Sequence, residues 1–199
     1  MPYDQWPQAL RDVLDGSRKD GSGRVNLFGT LAHHLPLAEA WLALARVLTH
    51  DGTLTARDRE LVVLRTAWRL DCAFVHDRHT GQAALAGLTP AETAATAVPL
   101  DAHPWQPDDL ALLHTVDALA AHEDVPDAVW QRLADRLRTD QLVELLVLAG
   151  QSAMMCMTLR TLRTPQDDSL DSPAERTVRT VPTVRTGRAR ECGPTPSST

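Results

Sequence analysis

Aromatic side chains are scarce in this sequence, where they make up 4% of the 199 residues. A core with so few rings must be built from Leu, Ala and Val. Such a core favours packed helices over a sheet, which usually recruits aromatic and β-branched residues. No stretch of the sequence competes as a strand. The composition therefore predicts an all-α protein, and the length is sufficient for one domain with its own core.

An excess of positive charge is absent as well. The formal net charge is -6, and the isoelectric point lies near 5.7. Nucleic-acid binding needs a basic face that holds phosphates, so we expect no nucleic acid among the partners of this chain. The sequence also lacks the Gly-rich loop that binds nucleotide phosphates.

Cysteines and long apolar runs are few. The three cysteines are Cys72, Cys156 and Cys192, and an odd, widely spaced set does not form a disulfide framework. The opening segment, MPYDQWPQAL, has neither the basic nor the apolar region of a signal peptide. No run reaches the ~20 apolar residues of a membrane helix. We therefore predict a cytoplasmic protein without a membrane partner.

The spacing of apolar residues predicts a helical domain over residues 1–164 and a tail over residues 165–199. The tail is rich in Pro, Thr, Ser and Arg. It has too few apolar side chains to offset the entropy of ordering, so we expect it to be disordered. Within the domain we expect a first short helix over residues 4–15 and a late core helix over residues 140–163, which contains a methionine cluster.

Several residues mark helix boundaries. Thr55 is expected to cap one helix, and Asp71 the helix that follows, from Cys72 to about Leu85. Gly87 suits the left-handed residue after that helix. The segment Thr89-Pro90-Ala91-Glu92 has the pattern of a capping box with proline in the first turn.

Four residues between positions 60 and 79 stand out against this apolar background: Glu60, Cys72, His76 and His79. The thiol and the two imidazoles are four and three residues apart, and on a helix these spacings bring them to one face. Glu60 lies farther upstream and would have to return by a chain reversal.

This set of side chains suits proton transfer. A thiol at a helix start has a lowered pKa because it lies at the positive end of the helix dipole. A carboxylate beside an imidazole fixes its tautomer and makes it a better base. We therefore predict a relay in which Glu60 orients His79, His79 moves a proton, and Cys72 attacks or donates.

Other interpretations of these residues stay open. Cys72 is a small apolar side chain that could simply fill the core. The thiol, two imidazoles and the carboxylate could instead form a tetrahedral zinc site, although the spacing is not that of a zinc finger. The methionine cluster of Met154, Met155 and Met157 is typical of core filling rather than of a copper site.

From about Asn26 to Arg163 the chain resembles the carboxymuconolactone decarboxylase and alkylhydroperoxidase-D-like (AhpD-like) family. The resemblance is carried by NLFGTLAHHLP, by LTARDRELVVLRTAWRLDCAFVHDRHTGQAALAGLTPAE, by DDLALLHTVDAL and by LVLAGQSAMMCMTL. It implies an AhpD-like, all-α helical bundle that assembles as a homotrimer or homohexamer. It also implies a pocket near a subunit interface, a small-molecule substrate and no organic cofactor.

The resemblance also assigns site residues. The peroxidase members of this family carry a glutamate, then a C-x-x-C pair and a histidine, and Glu60, Cys72 and His79 stand at the matching positions. Val75 replaces the second cysteine, so disulfide cycling would need Cys156 or a small thiol. The decarboxylase-like members carry a Y-E-W-x-x-H pattern. This chain has Phe74, Val75 and His76 at the first three positions of the pattern, and His79 at the last.

These matches and departures favour cofactor-independent acid/base chemistry of the decarboxylase, isomerase or cyclase type on a small pathway-specific substrate. The catalytic candidates are Glu60, Cys72, His76 and His79. One alternative is a thiol-dependent alkylhydroperoxidase-like reductase that uses Cys72. Another is an oligomer that binds a ligand without transforming it.

Overall fold

A computed structural model of the chain describes residues 25–164. The helix expected over residues 4–15 and the tail expected over residues 165–199 lie outside the described residues. The described part is helical and contains no strand, so the all-α prediction is confirmed for it. Its helices are α1 (Val25–Leu31), α2 (Leu35–Arg46), α3 (Ala56–Arg69), α4 (Ala73–Leu85), α5 (Pro90–Ala95), α6 (Pro107–Ala120), α7 (Asp127–Arg136) and α8 (Thr139–Thr161). A π-helical segment, Val47–Asp51, continues α2, and a 3₁₀ turn, Leu100–Ala102, precedes α6.

Helix α3 is the centre of the fold. It packs against α4, α6 and α8, and every residue from Glu60 to Ala67 is buried. A helix that is covered on all sides must be apolar around its whole circumference, and α3 meets this condition with Leu, Val and Ala. Three of its buried residues, Asp58, Glu60 and Arg65, are charged and therefore need partners.

Arg65 has a full set of partners. Its guanidinium donates two parallel hydrogen bonds to Asp117 of α6, at 2.7 and 2.6 Å. It also donates to the carbonyl oxygens of Thr96 and Val98, at 3.0 and 2.6 Å. The ring of Trp68 lies 4.2 Å from the guanidinium carbon. Arg65 therefore joins α3 to α6 and to the loop after α5, which is a structural role.

Helix α8 is the late core helix expected from the sequence. One face of it packs on α3, and Leu145, Leu148 and Cys156 are among its buried residues. By length and composition it could cross a membrane, yet it packs here as the core helix of a helical domain. Met154 and Met157 are exposed. The expectation that they belong to the core is therefore wrong.

Most of the expected helix boundaries are present. The Thr55 hydroxyl accepts a hydrogen bond from the backbone N–H of Asp58 at 3.1 Å. Thr89 and Glu92 form a complete capping box, and Gly87 has a φ of 85°. Asp71 does not cap α4, however, because Cys72 takes the N-cap position without a side-chain hydrogen bond.

Candidate functional site

The candidate residues lie on either side of the tight turn that joins α3 to α4. The backbone N–H of Cys72 donates to the carbonyl of Ala67 at 2.8 Å, and that of Asp71 donates to Trp68 at 3.0 Å. This pair of bonds is the Schellman ending of a helix, and it requires a left-handed residue. Asp71 takes that conformation, with a φ of 50°. The chain reverses here, so α4 runs back along α3.

The reversal brings Glu60 and His79 into contact. His79 Nδ1 lies 2.7 Å from Glu60 Oε2, although the two residues are nineteen positions apart. An ionised carboxylate can only accept, so Nδ1 carries the proton and donates. The Glu60 side chain is 7% exposed and the His79 side chain 27%. The imidazole therefore lies between a buried carboxylate and the protein surface.

His76 lies one turn before His79 on α4. Its Nδ1 is 3.8 Å from Asp77 Oδ1, which is too far for a hydrogen bond. Its Nε2 is buried and has no hydrogen-bond partner among the described residues. A buried ring nitrogen without a partner is costly, and it is often found where a ligand or water binds.

Cys72 contacts a thiol rather than an imidazole. Both Cys72 and Cys156 of α8 are buried and free, and their side chains hydrogen-bond to each other. The Cys156 thiol, the backbone N–H of Val75 and the charge of Arg160 lower the pKa of Cys72 to about 7. The same hydrogen bond, together with burial, raises the pKa of Cys156.

The predicted relay is therefore split into two parts. Glu60 and His79 form one pair, and Cys72 and Cys156 form another. Within residues 25–164 no hydrogen bond joins the Cys72 thiol to His76 or to His79. The Cys72 thiol has Cys156 as its partner and His79 has Glu60, and direct proton exchange between His79 and Cys72 stays a prediction.

The described residues form cavities that include the following two. One, of about 190 Å³, adjoins the start of α4 and is lined by Cys72, Ala73, Phe74, Leu159, Arg160, Arg163 and Thr164. The other, of about 510 Å³, lies between α6 and α7 and is lined by side chains that include Arg69, His114 and Asp117. Neither is lined by Glu60, His76 or His79.

The structure adds two residues that the sequence did not mark as site residues. Cys156 was considered only as a distant thiol, and Arg160 was not considered. Arg160 follows Cys156 by one helical turn and donates to the carbonyl of Leu70 at 2.5 Å. Its position on the same face of α8 is the one signal that could have pointed to it. Among the described residues no group of three or more His, Cys, Asp or Glu side chains could hold a metal ion.

Part of the chain matches the model of a known protein family. Residues 36–123 match the model of the carboxymuconolactone decarboxylase family. This segment contains Glu60, Cys72, His76 and His79, but it ends before Cys156. No curated protein sequence is significantly similar to the chain.

Solved structures with the same fold are distant in sequence. An uncharacterised peroxidase-related protein from Ralstonia eutropha, described as an alkylhydroperoxidase AhpD core, superposes with a TM-score of 0.73 at 21% identity, over 84% of this chain and 90% of its own. An uncharacterised peroxidase-related protein from Silicibacter superposes with a TM-score of 0.72 at 12% identity, over 82% of this chain and 87% of its own. A protein of unknown function from Agrobacterium tumefaciens, suggested to be an antioxidant defence protein AhpD, superposes with a TM-score of 0.64 at 22% identity. This match covers 70% of this chain and 96% of that protein. At these identities the likeness shows an AhpD-like fold.

Proposed function

Because residues 36–123 match the model of the carboxymuconolactone decarboxylase family, we propose that the chain belongs to this family and is a cofactor-independent acid/base enzyme for a small organic substrate. The observation that carries this proposal is the 2.7 Å hydrogen bond between Glu60 and His79. It joins a buried acceptor to an imidazole that reaches the surface, which is the arrangement of an orienting carboxylate and a general base.

His79 is the group that moves the proton. With Nδ1 held by Glu60, the lone pair of the neutral ring is on Nε2, the nitrogen that points away from the carboxylate. Nε2 can take a proton from a carbon acid and return it elsewhere on the same molecule. Glu60 keeps the tautomer and stabilises the imidazolium that forms.

His76 is the second polar group of the proposed site. The buried, unpartnered Nε2 of His76 gives the substrate a second polar contact, as a proton donor in the imidazolium form. Cys72 lines the neighbouring cavity. Proton transfer to and from carbon is common to decarboxylation, isomerisation, elimination and ring closure, and we propose that the reaction belongs to this group.

The proposed pocket is completed by a second copy of the chain. His79 is partly exposed, and it lines neither cavity. Helix α8 also has an apolar stripe that no described residue covers, because positions spaced by four and three residues lie on one face. The exposed side chains of this stripe are Val143, Val147, Met154 and Met157. We therefore propose that this stripe is an interface between copies of the chain. Following the family resemblance, we propose a homotrimer or homohexamer, and we place it in the cytoplasm.

Hydrogen exchange into carbon acids tests the reaction type without knowledge of the natural substrate. The full chain, purified in D2O buffer, is incubated with a panel of small keto acids, lactones and enones. Proton NMR then follows both deuterium uptake beside the carbonyl and product formation. We expect catalysed exchange in at least one compound, abolished in the His79→Ala and Glu60→Gln variants and retained in Cys72→Ser.

Three outcomes discriminate the alternatives. Loss of turnover in Cys72→Ser with retention in His79→Ala would favour a thiol-dependent reductase. A compound that binds and is recovered unchanged, with no exchange, would favour a ligand-binding oligomer. Glu39→Gln is the matched control for Glu60→Gln, because Glu39 is exposed and the same change there should leave exchange at the wild-type rate.

A further inference from the structure

The cavity between α6 and α7 is a site that the proposed acid/base chemistry does not use. Its volume of about 510 Å³ falls in the range of ~300–1,000 Å³ that is usual for small-molecule pockets. Glu60, His76 and His79 are not among the residues that line it. Arg69, the α3 residue of its lining, lies ~13 Å beyond Glu60 along that helix. A ligand in this cavity is therefore separate from the Glu60–His79 pair.

Part of the cavity lining is apolar. His114, Ala118 and Ala121 of α6 all line the cavity, and their spacing of four and three residues brings them to one face of the helix. The two alanines have small side chains and leave space above α6. Pro126 and Val129 contribute further apolar surface. This part of the lining suits an aliphatic segment of a ligand.

One end of the cavity is basic. The Nε of Arg69 lies 3.6 Å from Asp117 Oδ1, which is too far for a hydrogen bond. Both oxygens of Asp117 accept from Arg65 instead, at 2.7 and 2.6 Å. The His114 imidazole lines the cavity as well, and its N–H can donate a hydrogen bond. This end suits a carboxylate, which a guanidinium binds through two parallel hydrogen bonds.

The other end of the cavity is acidic. Helix α6 ends in a left-handed residue, His122, with a φ of 60°. The backbone N–H of Glu123 then donates to the carbonyl of Ala118 at 3.0 Å, and that of His122 donates to Leu119 at 3.1 Å. This turn places Glu123 in the cavity lining. The C-terminal end of a helix carries partial negative charge, and the Glu123 carboxylate adds to it, so this end suits an ammonium group.

We propose that the cavity between α6 and α7 binds a linear aliphatic molecule that carries a carboxylate at one end and an ammonium group at the other. The carboxylate is held by Arg69 and His114, and the ammonium group by Glu123. His114 and Ala121 are separated by ~10 Å along α6, so the two charges of the ligand are joined by several carbons. An α-amino acid carries both charges on one carbon and reaches only one end.

The compound 6-aminohexanoate is the probe that tests this proposal. Its binding to the full chain is detected by saturation-transfer NMR and measured by calorimetry. Hexanoate and hexylamine are the controls, because each keeps the carbon chain and one of the two charges. We expect 6-aminohexanoate to bind about tenfold more tightly than either control. No saturation transfer at millimolar probe, or equal affinity for either control, would overturn the proposal.

Variants then assign each charge of the probe to a residue. Glu123→Gln should weaken 6-aminohexanoate to the affinity of hexanoate and leave hexanoate unchanged. Arg69→Gln should weaken it to the affinity of hexylamine. The matched control is Arg132→Gln, because Arg132 is an exposed arginine of α7 whose partner is Asp108 at 2.9 Å, and it should bind like the wild type. Unchanged affinity in either cavity variant, or an equal loss in the control, would contradict the assignment.

Two more variants separate this site from the proposed acid/base site. Ala121 is exposed, so Ala121→Phe should keep the helical circular dichroism of the wild type while its ring fills the cavity and abolishes binding. His79→Ala removes the proposed base and should bind 6-aminohexanoate with wild-type affinity. The cavity can therefore bind its ligand even if the acid/base reaction is absent. Binding that survives in Ala121→Phe, or that is lost in His79→Ala, would overturn the proposed location.

Discussion

The single replacements Glu60→Leu and His79→Leu should each destabilise the domain. The double replacement should cost less than the sum of the two single losses. Leucine removes the charge or the ring nitrogen and keeps an apolar side chain of moderate size. In His79→Leu the buried Glu60 carboxylate loses its hydrogen-bond donor. In Glu60→Leu, His79 loses its acceptor, and the double variant leaves neither group unpaired.

The structure gives the magnitude of this coupling. A hydrogen bond to a charged group is worth ~1.5–3 kcal/mol, and removal of one partner from a fully buried pair costs ~3–5 kcal/mol. The 27% exposure of His79 lets water reach Glu60 when the ring is gone, so we expect the lower range. Each single variant should lose about 2 kcal/mol, with a coupling energy of about 1–2 kcal/mol.

Urea denaturation of the wild type and the three variants at pH 7, followed by circular dichroism, measures this coupling. Chain concentration is held fixed because self-association would raise the apparent stability. The control cycle pairs His79→Leu with Glu39→Leu, whose side chains do not hydrogen-bond, and it should give no coupling. A Glu60–His79 coupling below about 0.3 kcal/mol would refute the paired geometry.

Three further predictions concern the scaffold. Replacement of Arg65 by methionine should cost about 3–5 kcal/mol in urea denaturation, because it leaves the Asp117 carboxylate without its two-bond partner; a loss below 1 kcal/mol would contradict this role. The substitution Asp71→Gly should raise the free energy of unfolding by roughly 0.5–1 kcal/mol, since glycine has no Cβ penalty at a φ of 50°; a decrease would show that the contact with Arg160 matters more. The hydrogen bonds from Arg57 hold the pKa of Glu92 at about 2, below its ordinary value of 4.5. A carboxyl group whose pKa is lowered by folding stabilises the fold at pH values above its ordinary pKa. Between pH 4.5 and 2 the Arg57–Glu92 pair should therefore lose roughly 1–2 kcal/mol of its stabilisation of the fold, after solvent screening. An acid titration of Arg57→Met should lack that loss.

The helix boundaries could be predicted because they depend on residues close in the chain. Thr55, Gly87 and the capping box at Thr89 act on backbone groups within one turn, and the structure has each of them. Asp71 was misassigned because aspartate suits two positions, an N-cap and a left-handed helix end. Only the packing of α4 against α3 selects the second.

The site was partly predictable for a related reason. Glu60 and His79 lie on consecutive helices joined by a tight turn, so a chain reversal was enough to suggest their contact. The contact of Cys72 with Cys156 depends on how α8 crosses the start of α4. No local pattern encodes that crossing, since Cys156 is one apolar residue in a long apolar helix. Helix spacing alone therefore suggested His79 as the partner of Cys72.

The exposed methionines show a limit of apolar patterns. An apolar run such as Met154 to Met157 predicts buried side chains, yet Met154 is 40% and Met157 56% exposed. The pattern indicates that a helix face is apolar. It does not indicate whether the same chain or another copy covers that face.

The tautomer of His79 is the most direct test of an acid/base pair. Long-range nitrogen–proton NMR of the imidazole, recorded in the full chain at a pH where the ring is neutral, locates the proton on one of the two nitrogens. We expect it on Nδ1, with Nε2 bearing the lone pair, and we expect this preference to be lost in Glu60→Gln, whose amide can also donate. A proton on Nε2 in the wild type, or the same tautomer in both proteins, would contradict the role of Glu60 and with it the role of His79 as a base.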